Sequence, residues 1–151
     1  MTTLPELLTD PARRPQAVET LAGVVKEEVA GKSGLSGMAL KTAYKAVSRI
    51  SPDLVFRAVD YMLPDFAEQL DPFWSARAGQ PFGSYLSSRG DEAAEALLVV
   101  TDKRAAKPDH AAIAKIYNGV RSKAKSHVAE PLRRLGAAIE SLARSPVRRR
   151  Q

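Results

Sequence analysis

Ten prolines punctuate this chain, and their positions limit what it can fold into. At the first helical position proline gives up only an amide that would lack a partner anyway, whereas in a helix interior it removes a bond and collides with the preceding turn. Ser51-Pro52-Asp53 and Asp71-Pro72 each set a side-chain oxygen at a cap position with proline just inside. Pro15, Pro64, Pro81, Pro108 and Pro131 read as helix starts as well, and Gly31 and Gly90 as helix stops. The pattern predicts helices at about 15–30, 36–50, 52–63, 64–70, 72–79, 81–88, 91–104, 108–128 and 131–144.

Strands have little support in the composition. Alanine occurs 24 times and β-branched runs are nearly absent. The segment Leu97-Leu98-Val99-Val100-Thr101 could compete as a strand, but it follows the helix opening Asp91-Glu92-Ala93-Ala94-Glu95-Ala96 and reads as the buried end of that helix. In the second helix Met38, Leu40, Ala43, Tyr44, Val47 and Ile50 recur at three- and four-residue spacing, opposite a row of Lys41, Lys45 and Arg49. The following helix repeats the pattern with Leu54, Val55, Ala58, Val59, Met62 and Leu63. The expected fold is all-α, a compact multi-helix bundle of about seven to nine helices, several of them short and proline-initiated. Residues 1–144 form the expected single domain, and 145–151, ending in Arg148-Arg149-Arg150, a basic solvated tail.

Several function classes lose their chemistry at this stage. The chain has no cysteine, which removes disulfides and thiolate metal sites. The start lacks the basic and apolar regions of a signal peptide, and no stretch approaches a membrane span of roughly 20 apolar residues. The cytoplasm is the expected location. Two histidines, His110 and His127, are the groups available for proton transfer near neutral pH, and they lie too far apart in the chain to suggest a pair. His127 falls on the stripe of Ile113, Ile116, Tyr117 and Val120, where a packed or half-buried ring is expected. Asp53, Asp71, Asp91, Glu92 and Asp109 stand at helix starts, where negative charge complements the helix dipole. Glu27 and Glu28 come late in a helix, where the dipole disfavours them. No catalytic constellation, cofactor or metal site is expected.

Gly31-Lys32-Ser33-Gly34-Leu35-Ser36-Gly37 has the look of a phosphate loop. The nucleotide motif GxxxxGK[ST] fails, since Lys26 stands where the first glycine belongs and a helix, not a strand, precedes. The expected structure is a helix stop, a turn and a cap at Ser36. A helix-turn-helix over 36–63 is also disfavoured, because Arg57 faces Asp53 and Asp60 on the would-be recognition helix.

The charge itself is uneven. Residues 1–75 carry 8 Lys/Arg and 10 Asp/Glu, a balance of −2, and residues 76–151 carry 15 and 7, a balance of +8. Within the second half, Lys103, Arg104, Lys107, Lys115, Arg121, Lys123, Lys125, Arg133 and Arg134 stand against Asp109 and Glu130. These cations are the candidate surface for an anionic partner, whether acidic protein, nucleic acid or anionic lipid. The competing reading is an ordinary solvated face, with no aromatic interleaved for base stacking. A second candidate site is the cluster Phe66, Phe73, Trp74, Phe82 and Tyr85, five of the nine aromatics, expected at the centre of the core and able to hold a small apolar ligand if hollow. Homo-oligomerisation stays open.

The run Lys32-Ser33-Gly34-Leu35-Ser36-Gly37-Met38-Ala39-Leu40-Lys41-Thr42-Ala43-Tyr44-Lys45-Ala46-Val47 continues through Ser51-Pro52-Asp53-Leu54-Val55, Leu63-Pro64-Asp65-Phe66 and Leu70-Asp71-Pro72-Phe73-Trp74. It resembles a family of small uncharacterised actinobacterial proteins, with the similarity running from about residue 3 to residue 144. The resemblance implies no activity and no site residues. The expected function is a non-enzymatic helical binding protein using its basic later half, with a carrier or sensor of a small apolar ligand as the alternative.

Overall fold

A computed structural model describes residues 3–32, 34–106 and 111–144. Among these residues the chain forms eight helices and no strand: α1 (Leu4–Thr9), α2 (Arg14–Gly31), α3 (Gly34–Ile50), α4 (Leu54–Ala76), α5 (Phe82–Ser88), α6 (Gly90–Ala105), α7 (Ala111–Ala129) and α8 (Leu132–Arg144). The all-α expectation holds. Lys107, Pro108, His110 and the tail at 145–151 lie outside the described residues.

The largest departure from the expected helices is α4. Pro64 and Pro72, read above as helix starts, both lie inside one continuous helix. An interior proline leaves the carbonyl four residues earlier without its amide. For Pro64 that carbonyl belongs to Asp60, and the Arg14 side chain supplies the missing donor, its Nη2 reaching the Asp60 carbonyl oxygen at 2.7 Å. The same guanidinium holds the Asp60 carboxylate through Nε at 2.8 Å. Asp71, expected to cap a helix at Pro72, instead accepts the backbone amide of Leu4 at 2.9 Å and so caps α1, which proline punctuation had not revealed. Gly90 likewise begins α6 rather than ending α5.

The core gathers around α4. Val59, Leu63, Ala67 and Leu70 form one buried stripe, met by Leu4 and Leu8 of α1, Ala17, Val18 and Leu21 of α2, Phe82 and Leu86 of α5, Ala93 and Leu97 of α6, and Leu132, Ile139 and Leu142 of α8. Each fully buried leucine or phenylalanine contributes about 1.5–3 kcal/mol relative to exposure. Helices α5 and α8 cross at Gly83 and Gly136 so closely that a Cβ on Gly83 would stand 2.2 Å from the Arg133 carbonyl oxygen. Glu140 of α8 accepts the Phe82 amide at 3.1 Å and caps α5 across this crossing.

Helices α3 and α7 form an outer layer. They pack on one another and on α2, α4 and α6; among the described residues the fully buried cluster draws no side chain from either, and Val128 and Ala129 at the end of α7 lie half-buried against it. Met38 and Ile50, assigned above to the core face of α3, are accordingly 64% and 42% exposed, while Leu40, Ala43, Tyr44 and Val47 of the same face are half-buried.

If Arg14 stands in for the amide lost at Pro64, the two positions are coupled. Arg14→Ala is expected to cost about 1–3 kcal/mol in the native background. In a Pro64→Ala background, where the helix regains its own donor, the cost drops by about 1 kcal/mol. Urea unfolding of the four proteins measures the coupling; equal costs in both backgrounds contradict the substitution of donors.

Candidate anion-binding surface

The basic segment is organised by a polar network between α6 and α7. Thr101 and Asp102 stand near the end of α6, while Tyr117 and Arg121, four residues apart, share one face of α7. Arg121 grips both carboxylate oxygens of Asp102, Nε to Oδ1 at 2.7 Å and Nη2 to Oδ2 at 2.9 Å. The Tyr117 hydroxyl donates to Asp102 Oδ1 at 2.6 Å and lies 2.7 Å from the Thr101 hydroxyl. Hydrogen bonds from Arg121 and then Tyr117 hold the Asp102 carboxyl below its ordinary value. Burial, with the bond to Asp102 second, pushes the Tyr117 hydroxyl up to about 12.

A second pair repeats the register further along. Lys125 of α7 meets Glu95 of α6 at 3.3 Å, so a later residue of one helix faces an earlier residue of the other. The two helices are therefore antiparallel. This geometry divides the nine candidate cations. Lys103 and Arg104 at the end of α6 share one end of the hairpin with Lys115 of α7, and both lysines are exposed. The Arg104 guanidinium sits 4.9 Å over the Tyr61 ring of α4. Arg121 and Lys125 are turned onto α6 acids. Arg134 bonds Glu27 and Glu28 of α2, which accounts for two acids placed where a helix dipole disfavours them. Lys123 and Arg133 are exposed elsewhere, and Lys107 lies outside the described residues.

The glycine-flanked lysine has a structural duty. Lys32 ends α2 and is only 7% exposed, with its ammonium 2.7 Å from Glu130 Oε2 and 3.5 Å from the His127 carbonyl oxygen. The lysine holds the Glu130 carboxyl below its ordinary value. Its backbone also packs against Gly37, where a Cβ would come within 2.9 Å. Helix α3 begins at Gly34, two residues ahead of the expected cap, with Gly34 at a φ of 76°. The half-buried His127 keeps its Nε2 inside without a protein partner.

The aromatic cluster is packed. Phe82 is fully buried, Tyr85 nearly so, and Phe66, Phe73 and Trp74 lie against the core. Trp74 meets Phe82 edge-on at 5.0 Å, and Arg77 covers the Trp74 ring at 3.8 Å. Open clefts of about 530 and 370 Å³ lie elsewhere, along α2 beside Arg134 and around Phe56 with the Arg14–Asp60 pair. Among the described residues no three His, Asp or Glu side chains gather as a metal site, and no helix is long and apolar enough to cross a membrane.

Two residues of this surface escaped the reading of the sequence. Asp102 lies one position before the run of cations, so a count starting at Lys103 omits the acid that organises it. Tyr61 lies off the apolar stripe of its helix, and that offset was the available signal of exposure.

Fold and surface together define a small all-α protein with a charged hairpin packed against an apolar helical core. Residues 4–143 match the Family of unknown function (DUF6918), and the chain belongs to that family. No curated protein and no solved structure matches it.

The Tyr117 hydroxyl couples stability to pH. The folded state keeps this proton more tightly than the unfolded chain, so the contribution to stability is complete below pH 10.0 and is lost as pH rises from there toward about 12. Unfolding free energies across that range should fall for the native protein and fall less for Tyr117→Phe; identical alkaline slopes would contradict the assignment.

Proposed function

We propose that this protein is a non-enzymatic binding protein of the cytoplasm whose α6–α7 hairpin end, bearing Lys103, Arg104 and Lys115, meets an anionic partner. The observation that carries the reading is the register set by Asp102 with Tyr117 and Arg121, because it gathers these cations at one end while Arg121 occupies the adjacent acid. Helix α7 contains no Asp or Glu of its own, so the exposed Lys115 faces no opposing charge along its helix. Positive potential focused in this way raises the local concentration of an anionic partner and speeds encounter. The alternative, an apolar ligand among Phe66, Phe73, Trp74, Phe82 and Tyr85, gains no support from rings packed edge to face.

The test is binding of labelled oligonucleotides and of anionic vesicles as salt is varied. Contacts from the three cations give a log–log salt slope of about −2 to −3 on nucleic acid. Lys103→Glu with Lys115→Glu is expected to weaken binding at low salt at least about tenfold and to flatten that slope. Reversing Lys123 and Arg133 has the smaller effect. Equal losses from the two double variants would contradict the hairpin end as the site, and absent binding at low salt would remove the function.

A further inference from the structure

Tyr61 is 67% exposed, more than Met38, Val99, Phe56, Ile50 or Val25, the other large apolar side chains at the surface among the described residues. The Arg104 guanidinium lies over its ring at the hairpin end, where Tyr117 is half-buried and engaged by Asp102 and Thr101. The Arg104 contact places the Tyr61 ring at the basic end of α6 and leaves much of its surface to solvent. An exposed aromatic fixed beside cations is the combination that captures unpaired bases, with ring stacking on base and cations on phosphate.

We propose that the anionic partner is a single-stranded nucleic acid, with a base stacked on Tyr61 and the adjoining phosphates held by Lys103, Arg104 and Lys115. The inference rests on the reading of the hairpin end as an anion site and names the class of its partner. Bases in a duplex are stacked on one another and offer no face to a ring carried on a rigid helix, and lipid headgroups offer no planar face at all. The surrounding acids are mostly engaged. Asp60 is held by Arg14, Asp102 by Arg121 and Tyr117, and Asp53 by Arg57. Asp65 and Glu68, one and two turns beyond Tyr61, are exposed acids of α4, so the phosphates are assigned to the side of the α6 and α7 cations.

The experiment titrates the native protein, Tyr61→Ala and Tyr61→Phe against four probes: a labelled oligothymidine strand, an abasic strand with the same phosphates, a duplex of equal length and phosphatidylserine vesicles. Circular dichroism of the variants confirms that the exposed position leaves the fold intact. Tyr61→Ala is expected to weaken oligothymidine binding roughly 5- to 100-fold, and Tyr61→Phe by no more than about twofold. The abasic strand should bind more weakly than oligothymidine and respond to neither change. If Tyr61→Ala binds oligothymidine as the native protein does, or if the abasic strand, the duplex or the vesicles bind as well as oligothymidine, the single-strand assignment is overturned while the anion site stands. If no probe binds at low salt, both fall.

Discussion

Asp102 receives both nitrogens of the Arg121 fork and the hydroxyl of Tyr117, and the placement of the α6 and α7 cations depends on that convergence. Exposed ion pairs singly contribute little, usually well under about 1 kcal/mol. A bidentate pair shared with a half-buried tyrosine is more directional, because each bond restricts the geometry of the others. Its main effect is positional. With Glu95 and Lys125 it fixes the antiparallel register of α6 and α7, and that register decides which lysines share an end.

The same division of labour runs through the molecule. Apolar side chains from five helices close around α4, and the outer layer, which reaches that core through Val128 and Ala129, adds polar contacts: Lys32 to Glu130 beside α7, Lys125 to Glu95 and the Asp102 cluster. Several charges that could have faced a partner are consequently part of the architecture. Arg134 joins α8 to α2 through Glu27 and Glu28, and Arg14 makes good the amide absent at Pro64. The exposed lysines at the hairpin end, Lys103 and Lys115, are a smaller set than the charge of the segment suggests.

Helix as the dominant state was legible because alanine, periodic apolar residues and capped prolines all point the same way. The continuity of α4 was not legible, since the donor that makes Pro64 tolerable comes from Arg14, remote in sequence. Periodicity likewise marked Met38 and Ile50 as apolar-face residues without revealing that α3 would lie in an outer layer. A helix's own pattern shows which side seeks cover, and only tertiary packing shows how much cover arrives. The candidate cations were legible as a group, but their partition was hidden until the acids of α2 and α6 came alongside.

Helices α6 and α7 run antiparallel in the register set by Asp102, bringing Lys103 and Lys115 to one end. Because the chain has no cysteine, spin labels can be placed cleanly at two introduced sites. Double electron–electron resonance on a 103/115 pair is expected to give a short, narrow distance distribution. A 92/115 pair, displaced along α6 by about 16 Å of helix rise, should give a clearly longer one. Equal distances, or a shorter distance for 92/115, would contradict the account.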